Sequence, residues 1–173
     1  YAGLDGAVVK ESAAGKYRES GDHGFLRAQH QKKDCGWFAY RFEVPQVQVP
    51  YILEVEYPDD AFRTFCIAVR EGVPGTYPVA GGVDSGECYS LSGKMLTHSI
   101  LFWPKSKDLR AVFVTAHNDR RGAAASKIRV YKVDGDLPVP VHQAASGRTF
   151  ANWYEEGSNF MALYGAPDKG TKG

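Results

Sequence analysis

The sequence predicts an all-β domain: an antiparallel β-sandwich of the jelly-roll kind, followed by a short C-terminal helical or linker tail. Three observations carry that expectation. Apolar and polar residues alternate with a period of two in several short runs. Turn formers and aromatics are abundant, with 19 Gly, 9 Pro, 10 Tyr and 9 Phe among 173 residues, which favours short strands joined by tight turns. No long amphipathic helical pattern interrupts the series, so a sandwich fits better than a βαβ fold.

From the N-terminus, residues 1–34 are rich in Gly, Lys and Asp, with short edge strands expected near Ala7–Lys10 and Gly24–Ala28. In GWFAYRFEV, Phe38, Tyr40, Phe42 and Val44 form the core face, while Trp37, Ala39, Arg41 and Glu43 face the other way. In YILEVEY, Tyr51, Leu53, Val55 and Tyr57 oppose Glu54 and Glu56. FRTFCIAVR is apolar on nearly both sides, as a central strand is. EGVPGTYPVAGG reads as a loop, and a short strand is expected around Gly86–Ser90. HSILFW, LRAVFVTAH and SKIRVYKV supply further strands, giving about eight in all. Residues 1–138 form the sandwich domain on this reading. Residues 139–173 form a linker and the start of a following segment, with a helix expected from Phe150 to Leu163.

Charge and composition exclude some functions. Twenty-one Lys and Arg against 20 Asp and Glu leave a formal charge of +1, which makes no case for nucleic acid or an anionic membrane as partner. No apolar run approaches the roughly 20 residues that span a bilayer. The chain opens on Tyr1 without a signal-peptide pattern, as expected for a fragment of a larger or processed polypeptide. Cys35, Cys66 and Cys88 allow one internal bridge at most, and no C-x-x-C or His/Cys cluster suggests zinc. Cys66, inside an apolar strand, reads as a buried thiol.

Asp59 and Asp60 raise the sharpest question of chemistry. Pro58 followed by two Asp between alternating strands is turn chemistry, and Arg63 stands ready to pair with one acid and fix a hairpin. Calcium is the functional alternative, since carboxylates and loop carbonyls are hard oxygen ligands, but no D-x-[DN]-x-[DN]-G pattern accompanies them. Glu54 and Glu56 read as the exposed side of a sheet rather than a catalytic pair. DRRGAAASK reads as a solvated turn, and Trp103, before Pro104, as the anchor of a strand end.

Aromatic residues offer a better ligand site. Sugars present apolar C–H faces to Trp and Tyr rings, while Arg and acidic side chains bond their hydroxyls. Trp37 and Arg41 point away from their strand's core face, and Tyr77 and Tyr89 flank a Gly-rich loop that could overhang the same surface. These four are the expected contact residues.

The phrases YILEVEYPDD with FRT, ILFWPKSKDLRAVFVTA and GAAASKIRVYKVDGDLP, over residues 16–138, give the chain a family likeness. It resembles the accessory β-sandwich domains of large bacterial polysaccharide-degrading proteins, which are similar to carbohydrate-binding modules. The resemblance implies a noncatalytic module that targets a glycoside hydrolase to its glycan, in a secreted or cell-surface parent. Its expected partners are a polysaccharide or oligosaccharide and a neighbouring catalytic domain in the same polypeptide. NWYEEGSNFMALYG resembles the segment that leads from such a sandwich to the next domain. Two other readings stand beside this one. The first is a structural spacer that packs against the catalytic domain through Trp153, Tyr154 and Phe160 and binds no sugar. The second is a small lyase or hydrolase using Glu54, Glu56 or the Asp59–Asp60 pair, which the residue pattern does not favour.

Overall fold

Ten strands are present in the computed structural model, which describes residues 6–24, 35–72, 76–86, 89–117 and 120–137. Apart from Gly24, which is not in a strand, the expected strand near Gly24–Ala28, Cys88 and the tail helix lie outside the described residues. The chain divides into two units, Tyr1–Val133 and Asp134–Gly173, and all ten strands belong to the first.

One sheet is four-stranded, in the order β3 (Trp37–Glu43), β8 (Asp108–Thr115), β5 (Arg63–Glu71), β6 (Thr76–Ser85). A second holds β10 (Lys127–Lys132), β4 (Tyr51–Pro58) and β7 (Met95–Phe102). A third holds β1 (Val8–Ser12), β2 (Gly15–Glu19) and the two-residue β9 (Ala124–Ala125). Every paired strand is antiparallel. Strands β9 and β10 form one extended run that passes from β2 to β4. At the changeover, the Ser126 amide donates to the Glu56 carbonyl and its hydroxyl donates to the Lys16 carbonyl. The second and third sheets thereby make one layer, and the four-stranded sheet makes the other.

Alternation explains the core. Leu53, Val55, Phe65, Ile67, Val69, Leu109 and Phe113 are all fully buried and share the faces turned inward. Phe38 stacks on Phe113 with centroids 4.8 Å apart, and Tyr57 meets Phe65 edge-on at 6.1 Å. Burial at about 25 cal/mol per Å² of apolar surface makes this layer contact the main driving force for the fold.

Several expectations need correction. The Gly15–Glu19 stretch is a strand, although only Tyr17 gives it an apolar residue that is buried. The expected loop from Glu71 to Gly82 is largely β6, and Gly86 and Tyr89 stand beyond that strand. Gly81 suits β6 because a Cβ there would meet His98 and Ile100 of the facing layer at 3.0 and 3.2 Å. The Pro58–Asp60 corner does not close a hairpin: β4 and β5 lie in different sheets, so the chain crosses between layers there. Trp103, just after β7, is 46% exposed. Tyr40 is more than a third exposed despite its place on the core face of β3.

Candidate functional site

Strand register builds a surface on the outer side of the four-stranded sheet. Trp37, Val114 and Cys66 stand in one row across β3, β8 and β5, and Ala39, Val112 and Ala68 in the next. Arg41, Arg110 and Arg70 make the third row. The middle row is small and apolar, and all three of its members are buried although they face away from the core. Small side chains set that floor low, and Trp37 rises beside it. A cavity of about 440 Å³ results, lined among the described residues by Cys35, Trp37, Ala39, Arg70, Arg110, Val112 and Val114. That volume lies within the range of about 300–1,000 Å³ usual for small-ligand clefts.

Polar groups stand at both ends of this surface. At one end Arg41 donates to Asp108 at 2.7 Å and to Glu43 at 3.2 Å. The Arg41 hydrogen bond, with help from the nearby Arg110, holds the Asp108 carboxyl below the usual carboxylate range. At the other end Arg120 donates to Thr64 at 2.8 Å and to Asp84 at 3.0 Å. Cys35 and Cys66 are both reduced thiols. Cys66 is only half-buried and faces the outer surface, not the core, and burial pushes its thiol pKa up.

The acidic corner has a different character. Arg63 is completely buried and donates through Nη1 to Glu19 at 2.6 Å and to the Gly122 carbonyl at 2.8 Å. Its Nη2 donates to Asp60 at 2.9 Å and to the Tyr17 hydroxyl at 3.3 Å. Tyr17 in turn donates to the second Asp60 oxygen at 2.9 Å. Lys10 and Arg121 also donate to Glu19. Burial works to raise the pKa of both carboxyls, but the bonds from Arg63 and its neighbours outweigh it and hold both low. Asp59, also buried, accepts from the Ser92 amide at 2.7 Å and ties the corner to the loop before β7. Among the described residues no three His, Cys, Asp or Glu side chains gather to hold a metal. The Arg63 guanidinium stands between Glu19 and Asp60 and supplies the positive charge that both carboxylates meet. The double-arginine turn is not merely solvated, since Arg121 serves Glu19 and Ala123–Ala125 are buried.

No family model and no curated protein matches the chain. Solved structures do. One carbohydrate-binding module, CBM4, is 13% identical over 76% of this chain and 81% of its own, with a TM-score of 0.50. The carbohydrate-binding module CBM6cm-2 from Cellvibrio mixtus lichenase 5A, solved with cellotriose, is 12% identical over 77% of this chain and 90% of its own, also at 0.50. The chain has the β-sandwich fold of carbohydrate-binding modules.

On that module fold, two of the four expected contact residues stand together. Trp37 and Arg41 share the outer face of β3, on either side of the buried Ala39, and Trp37 lines the cleft. Tyr89 is exposed beyond β6, on the far edge of the sheet, and donates to the Asp84 carbonyl at 3.0 Å. It does not line the cleft. Tyr77 falls within β6, and its side chain lies outside the described residues. Arg70 and Arg110 carry no mark of a site in the sequence. Only the cross-strand register places them beside Trp37, and one sequence carries no register between distant strands. Glu54 and Glu56, on the outer side of β4, both accept from Arg129 at 2.7 Å, as a half-buried ion-paired face.

Proposed function

We propose that this chain is a noncatalytic carbohydrate-binding module that holds a polysaccharide close to a catalytic domain of the same polypeptide. The observation that carries the reading is the Trp37-walled cleft, with its apolar floor and arginine end, on a fold shared with carbohydrate-binding modules. A pyranose ring laid against Trp37 would bury its C–H face, while Arg70 and Arg110 bond its hydroxyl oxygens. Holding the polymer near an active site raises its effective concentration without chemistry. A bound saccharide in CBM6cm-2 supports glycan as the ligand class. A secreted or cell-surface parent and a sandwich domain ending near residue 138 belong to the same reading.

Tryptophan fluorescence titration with a panel of soluble oligosaccharides tests it. Trp37→Ala is expected to weaken binding by roughly tenfold or more, equivalent to about 1.4 kcal/mol, at unchanged melting temperature. Equal binding by a folded Trp37→Ala variant removes the cleft from the site. A chain that binds no glycan, but whose deletion lowers activity on soluble substrate and stability of the parent together, is a packing spacer.

A further inference from the structure

The arginine row says more about the ligand than the aromatic wall does, provided that the cleft is the glycan site. Arg41, Arg110 and Arg70 lie directly opposite one another on three neighbouring strands and on one face. Like charges in such positions destabilise a sheet unless something lies between them. Among the described residues, counter-charge stands on one side only. Asp108 bonds Arg41 at 2.7 Å and stands 3.7 Å from Arg110, and Glu43 bonds Arg41 at 3.2 Å. Arg70 is at the opposite end of the row, and its Nε is buried without a hydrogen-bond partner among the described residues. The cleft wall formed by Arg70 and Arg110 contains no acid among those residues.

A neutral sugar would place uncharged hydroxyls against two guanidiniums. Asp108 and Glu43 leave one of the row's three positive charges uncompensated, and an anionic oxygen pair would balance it and match the fork geometry of guanidinium donors. From the one-sided charge balance of this row, we infer that the module is selective for an acidic glycan, whose carboxylate or sulfate ester binds between Arg70 and Arg110. The sugar ring then extends from that anchor across Ala39 and Val112 towards Trp37. An alternative role for Arg70 is to cover apolar surface with its stem. Arg70→Met retains that cover and removes the charge.

Calorimetry on the full chain separates these cases, using an oligogalacturonate, a sulfated galactan oligosaccharide and a neutral cello-oligosaccharide of similar length. At least one acidic ligand is expected to bind about tenfold or more tightly than the neutral one, with affinity falling as NaCl rises. Which acidic ligand wins identifies the anionic group. Arg70→Met and Arg110→Gln are each expected to remove the advantage of the acidic ligand. Arg129→Gln, on the outer face of the other layer, is expected to leave it intact. Neutral and acidic ligands bound equally, or arginine variants that keep the preference, would overturn the inference and leave the module reading standing. A folded chain that binds none of the three would overturn both.

Discussion

Arg63 joins two acidic side chains from distant parts of the chain, Glu19 and Asp60, in one buried cluster. Asp59 and Asp60 read in the sequence as a turn, with calcium as the functional alternative, and the fold buries a guanidinium against Asp60 and Glu19. Removing one partner of a buried pair leaves the other charges uncompensated. Arg63→Met is therefore expected to destabilise the chain by about 3–5 kcal/mol in urea denaturation, and a loss under about 1 kcal/mol would show the network to be dispensable. Chelation is the complementary check. With Arg63 already paired to Asp60, EDTA is expected to leave the melting temperature unmoved. A fall of several degrees would return Asp59 and Asp60 to the role of calcium ligands.

At the scale of the element, close backbone contacts govern the layer edges. A Cβ on Gly122 would lie 2.1 Å from the Ser20 carbonyl oxygen, and the neighbouring Ser20 amide donates to the Ala123 carbonyl at 2.9 Å. Gly122→Ala must push β2's exit away from the strand run that begins at Ala124. It is expected to cost about 1–3 kcal/mol, and unchanged stability by thermal melting would show that this edge yields freely. Strands with strong alternation, such as β4 and β8, were legible because burial on one face writes itself into the sequence. β2 was not, since Lys16, Arg18 and Glu19 mask a strand whose Glu19 is buried by ion pairing. β6 was hidden by Pro78, Gly81 and Gly82, which signal a loop but here serve an edge strand packed against β7. The corner after β4 was recognisable as a turn, but turn chemistry does not distinguish a hairpin from a crossing between layers. Trp37 and Arg41 could be read from alternation within one strand. Arg70 and Arg110 needed pairings among three strands far apart in sequence.

Over the whole molecule the same buried charges set the response to acid. Glu19 and Asp60 have depressed pKa values in the fold, so their stabilisation is complete above the ordinary carboxylate value of about 4 and is lost as pH falls through their folded values. Burial also depresses His98, whose contribution has the same sign and begins to fade below about 6.5. Melting temperature is therefore expected to decline gently below that pH and steeply in the carboxylate range. A flat profile down to about pH 3 would contradict the buried network. The outer surface of the four-stranded sheet is organised independently of that network, with Trp37 at one side of an apolar floor and arginines at its end. We propose that this surface is the glycan site. The most direct test is a glycan array probed with the folded chain and with its Trp37→Ala variant, each with calcium and with chelator. Selective glycan signals that disappear in the variant and do not depend on calcium are the expected result. A blank array from folded protein, or signals identical in the variant, would contradict it.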